Sequence, residues 1–193
     1  MNLVIVDYKA GNVQSVLFAL ERLGVQATLS CDFETIKAAD KVIFPGVGEA
    51  SSAMTQLKAR NLDKLLPTLE QPFFGVCLGM QLLCQHSEEG DTDLLGIIPL
   101  PVKRFQTELK VPHMGWNQLE QLKSPLFKGI AEREYVYYVH SFYVPLSDYT
   151  IAKTSYPEPF SAALQYRNFY AAQFHPEKSG PAGSQILKNF LAL

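Results

Sequence analysis

The strongest chemical signal in the chain is a cysteine between two glycines, in Gly75-Val76-Cys77-Leu78-Gly79-Met80-Gln81. An apolar run, Phe73 to Val76, leads into it, and a run with helical patterning, Leu78 to His86, leads out. That is the layout of a nucleophile elbow, with a thiol where other hydrolases carry a hydroxyl. A sharp strand-to-helix turn exposes the side chain and puts it at the positive end of a helix, a position that favours a reactive thiolate. Glycines suit the flanks because such a turn leaves little room for Cβ atoms and because positive φ is open to them. The competing reading is a small buried hydrophobe, the common fate of an intracellular cysteine.

A thiol nucleophile needs a base, and the chain has four histidines: His86, His113, His140 and His175. If the helix after the elbow reaches His86, nine residues of rise put that ring about 13.5 Å away, too far to share a proton. His113 and His140 stay open. His175 has the best context, Phe174-His175-Pro176-Glu177-Lys178-Ser179, directly after an expected strand from Phe169 to Phe174. In extended chain, residues two apart point the same way, so His175 and Glu177 share a side. A carboxylate there holds the imidazole's tautomer and steadies the imidazolium. Cys77, His175 and Glu177 then make nucleophile, base and orienter. The plainer alternative is a strand-end histidine with a local hydrogen bond.

Acyl transfer from a thiol also needs donors for the developing oxyanion. The Leu78 N–H, first after the nucleophile, is one candidate. The second is expected from Pro45-Gly46-Val47-Gly48, at Val47 or Gly48, where glycines permit close backbone approach. A β-branched residue between two glycines also makes a peptide flip at Val47 a conceivable gate. An ordinary glycine turn is the alternative.

The elements that must position these groups follow from the hydrophobic pattern. Leu3 to Val6 reads as a strand buried on both faces. A helix follows from Val13 to Leu23, then a strand at Ala27 to Ser30, a short helix at Phe33 to Ala39 and a strand at Lys41 to Phe44. This alternation predicts an α/β fold with a parallel sheet and right-handed crossovers. A helical stretch from Ser51 to Leu69, broken near Asn61, precedes the elbow strand. In such a sheet ligands sit beyond the carboxyl ends of the strands, which brings the Pro45–Gly48 loop, Cys77 and the loop Asp7 to Asn12 to one edge. Beyond an acidic loop, Glu88 to Asp93, strands at Val102 to Phe105, Tyr135 to Val144, Thr150 to Thr154, Ala162 to Tyr166 and Phe169 to Phe174 turn the sheet mixed. Arg167-Asn168 reads as a tight turn, and Pro181 to Leu193 as a closing helix.

With 193 residues, 47% of them hydrophobic, the chain suits one domain spanning 1–193. A net charge of −2 offers no basic field for nucleic acid or anionic lipid. No apolar stretch is long enough to span a bilayer or resembles a secretory signal. Cys31, Cys77 and Cys84 form no even framework and no CxxC pair, so a reduced, cytoplasmic protein without disulfides or a metal is expected.

On Pro45-Gly46-Val47-Gly48, Gly75-Val76-Cys77-Leu78-Gly79-Met80-Gln81 and His175-Pro176-Glu177-Lys178-Ser179, the chain resembles the class I, triad-type glutamine amidotransferases. Asp7-Tyr8-Lys9-Ala10-Gly11-Asn12, Pro112-His113-Met114-Gly115-Trp116-Asn117 and Tyr138-Val139-His140-Ser141-Phe142-Tyr143 make it similar to the branch that serves imidazole glycerol phosphate synthase in histidine biosynthesis. Lys9 departs from the small or polar residue expected in that branch's first loop. The resemblance implies a single flavodoxin-like, three-layer domain around a mixed, mostly parallel sheet. It implies that Cys77 attacks the side-chain amide of glutamine, giving a γ-glutamyl thioester and ammonia, with His175 relaying protons and Glu177 orienting it. Gly48, Gln81, Glu89, Ser141 and Phe142 match positions that hold glutamine. No cofactor is implied.

The sequence has neither a dinucleotide fingerprint nor a P-loop, so the acceptor chemistry is expected elsewhere. The resemblance implies a partner, a (β/α)₈-barrel cyclase that receives the ammonia through a channel. Asn12, Trp116, Asn117 and Tyr137 are amide and aromatic residues of the kind interfaces favour, and form the expected docking face. Three other readings stay open at this stage: another amidotransferase of the class, a flavodoxin-like binding module, and a cysteine peptidase.

Overall fold

A computed structural model describes residues 1–9 and 13–193. The first half alternates as the pattern requires: β1 (Leu3–Val6), α1 (Val13–Arg22), β2 (Thr28–Ser30), α2 (Phe33–Lys37), β3 (Lys41–Gly46), α3 (Ala50–Ala59), α4 (Leu62–Leu65), β4 (Phe73–Cys77) and α5 (Leu78–Leu82). The second half holds β5 (His86–Ser87), β6 (Thr92–Asp93), β7 (Pro101–Arg104), β8 (His113–Gln118), β9 (Tyr135–His140), β10 (Phe142–Tyr143), β11 (Thr150–Ser155), β12 (Pro159–Tyr166), β13 (Phe169–Ala172) and α6 (Gly180–Leu191).

The main sheet has the order β11-β12-β13-β4-β3-β1-β2. Strands β2, β1, β3, β4 and β13 run parallel, and β12 and β11 add antiparallel at one edge. Successive side chains of a strand point to opposite faces. Val4, Val6, Val42 and Phe44 therefore enter one core with α2 to α5, and Leu3, Ile5 and Ile43 enter the other with α1 and α6. Helices on both faces make three layers and explain why the central strands are apolar throughout. The turn at Arg167 and the break at Asn61 both take a left-handed backbone, φ 53° and 54°.

Two expected elements differ. The helix after the elbow ends after Leu82 rather than at His86. Backbone N–H groups of Leu95, Ile98 and Gly96 claim the carbonyls of Leu82, Leu83 and Cys84, so residues 94–98 take the place of the next helical turn. The strand expected from Tyr135 to Val144 breaks at Ser141, because β9 pairs with β8 while β10 pairs with β7 in a separate small sheet. The β8–β9 hairpin itself is absent from the sequence reading.

Candidate active site

Cys77 closes β4 and lies opposite Gly46 in the parallel ladder. Its backbone has φ 55° and ψ −111°. Such a conformation costs an L residue roughly 1–3 kcal/mol and persists only where the surroundings impose it. The strain thus sits on the cysteine, not on its flanking glycines. Those serve close approach instead: a Cβ on Gly79 would collide with the Phe44 carbonyl oxygen, and one on Gly75 would lie 2.9 Å from the Gly79 oxygen. A Cβ on Gly46 would lie 2.6 Å from the Gly79 nitrogen. Three glycines from three segments let the elbow seat against the end of β3. The helix beyond has only five residues, so the helix-end field is weaker than the sequence suggests.

His175 follows β13, next to β4, and its Nδ1 lies 2.8 Å from Glu177 Oε1. Both side chains are almost fully buried, at 1% and 2% exposure. Burial depresses the imidazole's pKa, but its interactions with the Cys77 sulfur and the Glu177 carboxylate outweigh this and hold it well above 6.5. Its Nε2 is buried without a partner inside ordinary hydrogen-bond limits, and Cys77 is the strongest of the influences that raise the ring. Glu177 thus holds one ring nitrogen, and the other is left for Cys77.

The other histidines are otherwise engaged. His86 sits on β5 rather than on the helix expected after the elbow, 3.0 Å from Asp93 and 3.1 Å from Asp91. His113 Nδ1 and His140 Nε2 are 2.9 Å apart, and His140 Nδ1 lies 2.8 Å from the Phe142 carbonyl.

A cavity of about 290 Å³ is lined by Cys77 and His175 together with Val47, Gly48, Leu78, Gln81, Glu89, Ser141 and Phe142. All the sequence-derived oxyanion and glutamine-binding candidates therefore border one space, small enough to suit a free amino acid. Gly48 has φ 102°, a conformation favouring glycine. Glu89 is half-buried, and one oxygen accepts from Ala50 N at 2.8 Å. Burial raises its pKa, the Ala50 N–H opposes this and Glu49 adds to it. A carboxylate at the rim is the natural counter-charge for an α-ammonium group. Gln81 Nε2 is already committed, donating to Phe142 O and Gln173 Oε1, each at 3.0 Å.

Sequence reasoning missed two residues here. Gln173 is fully buried and directs its Nε2 at the Cys77 sulfur from 3.9 Å. Its place two residues before His175, on the same side of an extended chain, was the available signal. Tyr8 donates to the Pro45 carbonyl at 2.9 Å and so steadies the Pro45–Gly48 loop. Burial and the charge at Cys77 raise its phenol above the ordinary value.

Of the expected docking residues, Trp116 and Asn117 lie on β8 and Tyr137 on β9. Met114 and Trp116 project from β8 and are 56% and 55% exposed, and Tyr137 meets Trp116 edge-to-face at 6.0 Å. The Tyr137 carbonyl accepts from His175 N at 2.9 Å, and the Val139 carbonyl lies 3.9 Å from the Cys77 sulfur. β9 thus links this face to His175 and Cys77. Asn117 lies on the opposite side of β8, toward His113. Asn12 falls outside the described residues.

The sequence model of the glutamine amidotransferase class-I family matches residues 4–193. The chain belongs to the class I glutamine amidotransferases. Among relatives of this amidotransferase, the imidazole glycerol phosphate synthase subunit HisH of Bacteroides thetaiotaomicron is 58% identical over 196 residues, covering 100% of both chains. The protein of the same name from Photorhabdus laumondii is 48% identical over 201 residues, again covering 100% of both. In fold the amidotransferase is similar to a solved glutamine amidotransferase, with a TM-score of 0.77 at 19% identity over 98% of this chain and 97% of that one. A chain of the PurLQS structure from Thermotoga maritima gives 0.73 at 15% identity, covering 99% and 97%. Among the described residues no helix is long and apolar enough to cross a membrane.

Proposed function

We propose that this chain is the glutaminase subunit of an imidazole glycerol phosphate synthase, acting as one domain in the cytoplasm. The observation that carries the reading is the Cys77–His175–Glu177 arrangement on a cavity bordered by Gly48, Gln81, Glu89, Ser141 and Phe142. Relatives of that name, alike over their whole length, support the synthase over other members of the class.

His175 takes the proton of the Cys77 thiol as the sulfur bonds to the side-chain carbonyl carbon of glutamine, and the negative charge moves to the oxygen. The Leu78 N–H and a donor from Val47 or Gly48 receive it. The His175 imidazolium gives its proton to the amide nitrogen, the C–N bond breaks and ammonia leaves. Water then adds to the γ-glutamyl thioester, His175 takes its proton, and the sulfur leaves as glutamate is released. Glu177 holds His175 with Nε2 toward the sulfur. Glu89 meets the ammonium of the substrate. Ammonia passes to a (β/α)₈-barrel cyclase docked on the face around Trp116 and Tyr137, and the Val47 peptide responds to that partner.

The test is glutamate release by the full chain, alone and with the cyclase and its nucleotide ligand, together with labelling by a glutamine-analogue alkylator. Hydrolysis that rises with the partner, and label confined to Cys77 and blocked by glutamine, is expected. No hydrolysis under any of these conditions, or label on another residue, overturns the reading.

A further inference from the structure

The buried pair His113 and His140 lies against the catalytic cavity, yet the proposed chemistry does not use it. The two residues are directly opposite in the β8–β9 ladder. His113 is sandwiched between Tyr138 and Tyr156, with ring centroids 4.9 and 4.1 Å away, and His140 lies among Phe105, Tyr138 and Phe160. Burial pushes His113 down to about 4. Burial, opposed by the bond to Phe142 and aided by His113 and His175, takes His140 to about 3. Both rings are therefore neutral at ordinary pH, and each carries one N–H.

The hydrogen bonds then have only one consistent direction. A carbonyl oxygen only accepts, so His140 Nδ1–H donates to Phe142 O at 2.8 Å. His140 Nε2 is left as an acceptor and takes the Nδ1–H of His113 at 2.9 Å. His113 Nε2 is in turn an acceptor and takes an N–H of Asn117 at 3.2 Å. Asn117 is oriented by donating to Ser155 O at 3.1 Å and accepting from Gln118 N at 2.7 Å. At the far end Phe142 O also accepts from Gln81 Nε2 at 3.0 Å, so both its lone pairs are occupied.

We infer that His113 and His140 are positioning residues for glutamine: a one-way hydrogen-bond chain, Asn117 to His113 to His140 to the Phe142 carbonyl, sets the Ser141–Phe142 corner of the cavity from the β8 edge beside Trp116. The chain rests on the glutaminase reading for its consequence, but its direction does not. The corner is where β9 leaves one sheet and β10 joins another; Phe105 N, donating to Ser141 O at 3.1 Å, and Gln81, donating to Phe142 O, hold it from the β7 and α5 sides. The bond from His140 ties it to the β8–β9 pair as well.

Two measurements on the full chain test it. Long-range ¹H–¹⁵N spectra of histidine-labelled protein at neutral pH are expected to show the Nδ1–H tautomer at both rings, the less common form of a free imidazole. An Nε2–H tautomer or rapid tautomer exchange at either ring overturns the inference. In kinetics with the cyclase present, His140→Phe is expected to raise KM for glutamine at least tenfold while iodoacetamide alkylates Cys77 within twofold of the parent rate. His140→Asn, whose side-chain N–H replaces Nδ1–H, is expected to recover most of the affinity. An unchanged KM in His140→Phe, a parallel loss of alkylation, or an Asn variant no better than Phe overturns it. Absence of glutaminase activity in the unsubstituted protein refutes the proposed function and the positioning role together. Normal activity with the wrong tautomers refutes this inference alone.

Discussion

Replacing Glu177 with Gln tests how the proposed triad is energised. The substitution keeps the shape of the side chain and removes its charge. In the structure Glu177 Oε1 meets His175 Nδ1 at 2.8 Å with both groups almost fully buried, so solvent screens little of the interaction. A hydrogen bond to a charged group contributes roughly 1.5–3 kcal/mol. With a tenfold rate change for each ~1.4 kcal/mol, losing it from the transition state lowers kcat/KM roughly 10- to 150-fold. Glu177 is one of the groups that raise His175, so its neutralisation lowers the imidazole's pKa. The alkaline limb of kcat/KM against pH therefore moves toward lower pH. Stability shifts in a linked way. His175 is raised in the folded state, so its contribution is whole below the unfolded value of about 6.5 and fades as pH climbs through the folded one. The Tm deficit of Glu177→Gln is then largest at acid and neutral pH and narrows in alkali. Glutamate release across a pH series and thermal melts at matched pH read both effects. A variant within threefold of the parent, with an unmoved alkaline limb, would refute the role given to this carboxylate.

Other substitutions probe the elbow and its support. Gly79→Ala forces a methyl group against the Phe44 carbonyl; overpacking of this kind costs about 1–3 kcal/mol and lowers Tm by roughly 2–12 °C in a chain of this size. Cys77→Ala and Cys77→Gly both abolish glutamate release, but the glycine variant melts higher, by about 1 kcal/mol in unfolding free energy, because φ 55° and ψ −111° strain any L residue. Gln173→Leu removes the donor aimed at the Cys77 sulfur, and is expected to lower kcat/KM about tenfold, near 1.5 kcal/mol, while the fold stays intact by circular dichroism.

The proposed division of labour places the acid–base chemistry on β4 and the segment after β13, neighbours in the parallel part of the sheet. The strand β9 runs behind both, holding His175 through its Tyr137 carbonyl and reaching the cavity at Val139 and His140. A partner on the exposed Met114–Trp116 surface would therefore lie one strand away from the reacting groups. That proximity is a physical reason for coupling activity to docking.

Much of this protein was legible in the sequence because the decisive signals are local. The apolar strands, buried on both faces, announced a parallel sheet, and Gly75 to Gly79 with His175 and Glu177 pointed to the proposed nucleophile, base and orienter. These rest on hydrophobic period and on neighbours two residues apart. What only the tertiary structure decided involves groups far apart in the chain. Positive φ falls on Cys77 because β3 and Gly79 close around it from different segments. The helix after the elbow stops early because residues 94–98 bind its last carbonyls. Gln173 reaches the sulfur from 96 positions away, and His113 finds His140 from 27. No periodicity encodes such pairings. The residue types fix what chemistry is possible, while sheet order and register decide which of them meet.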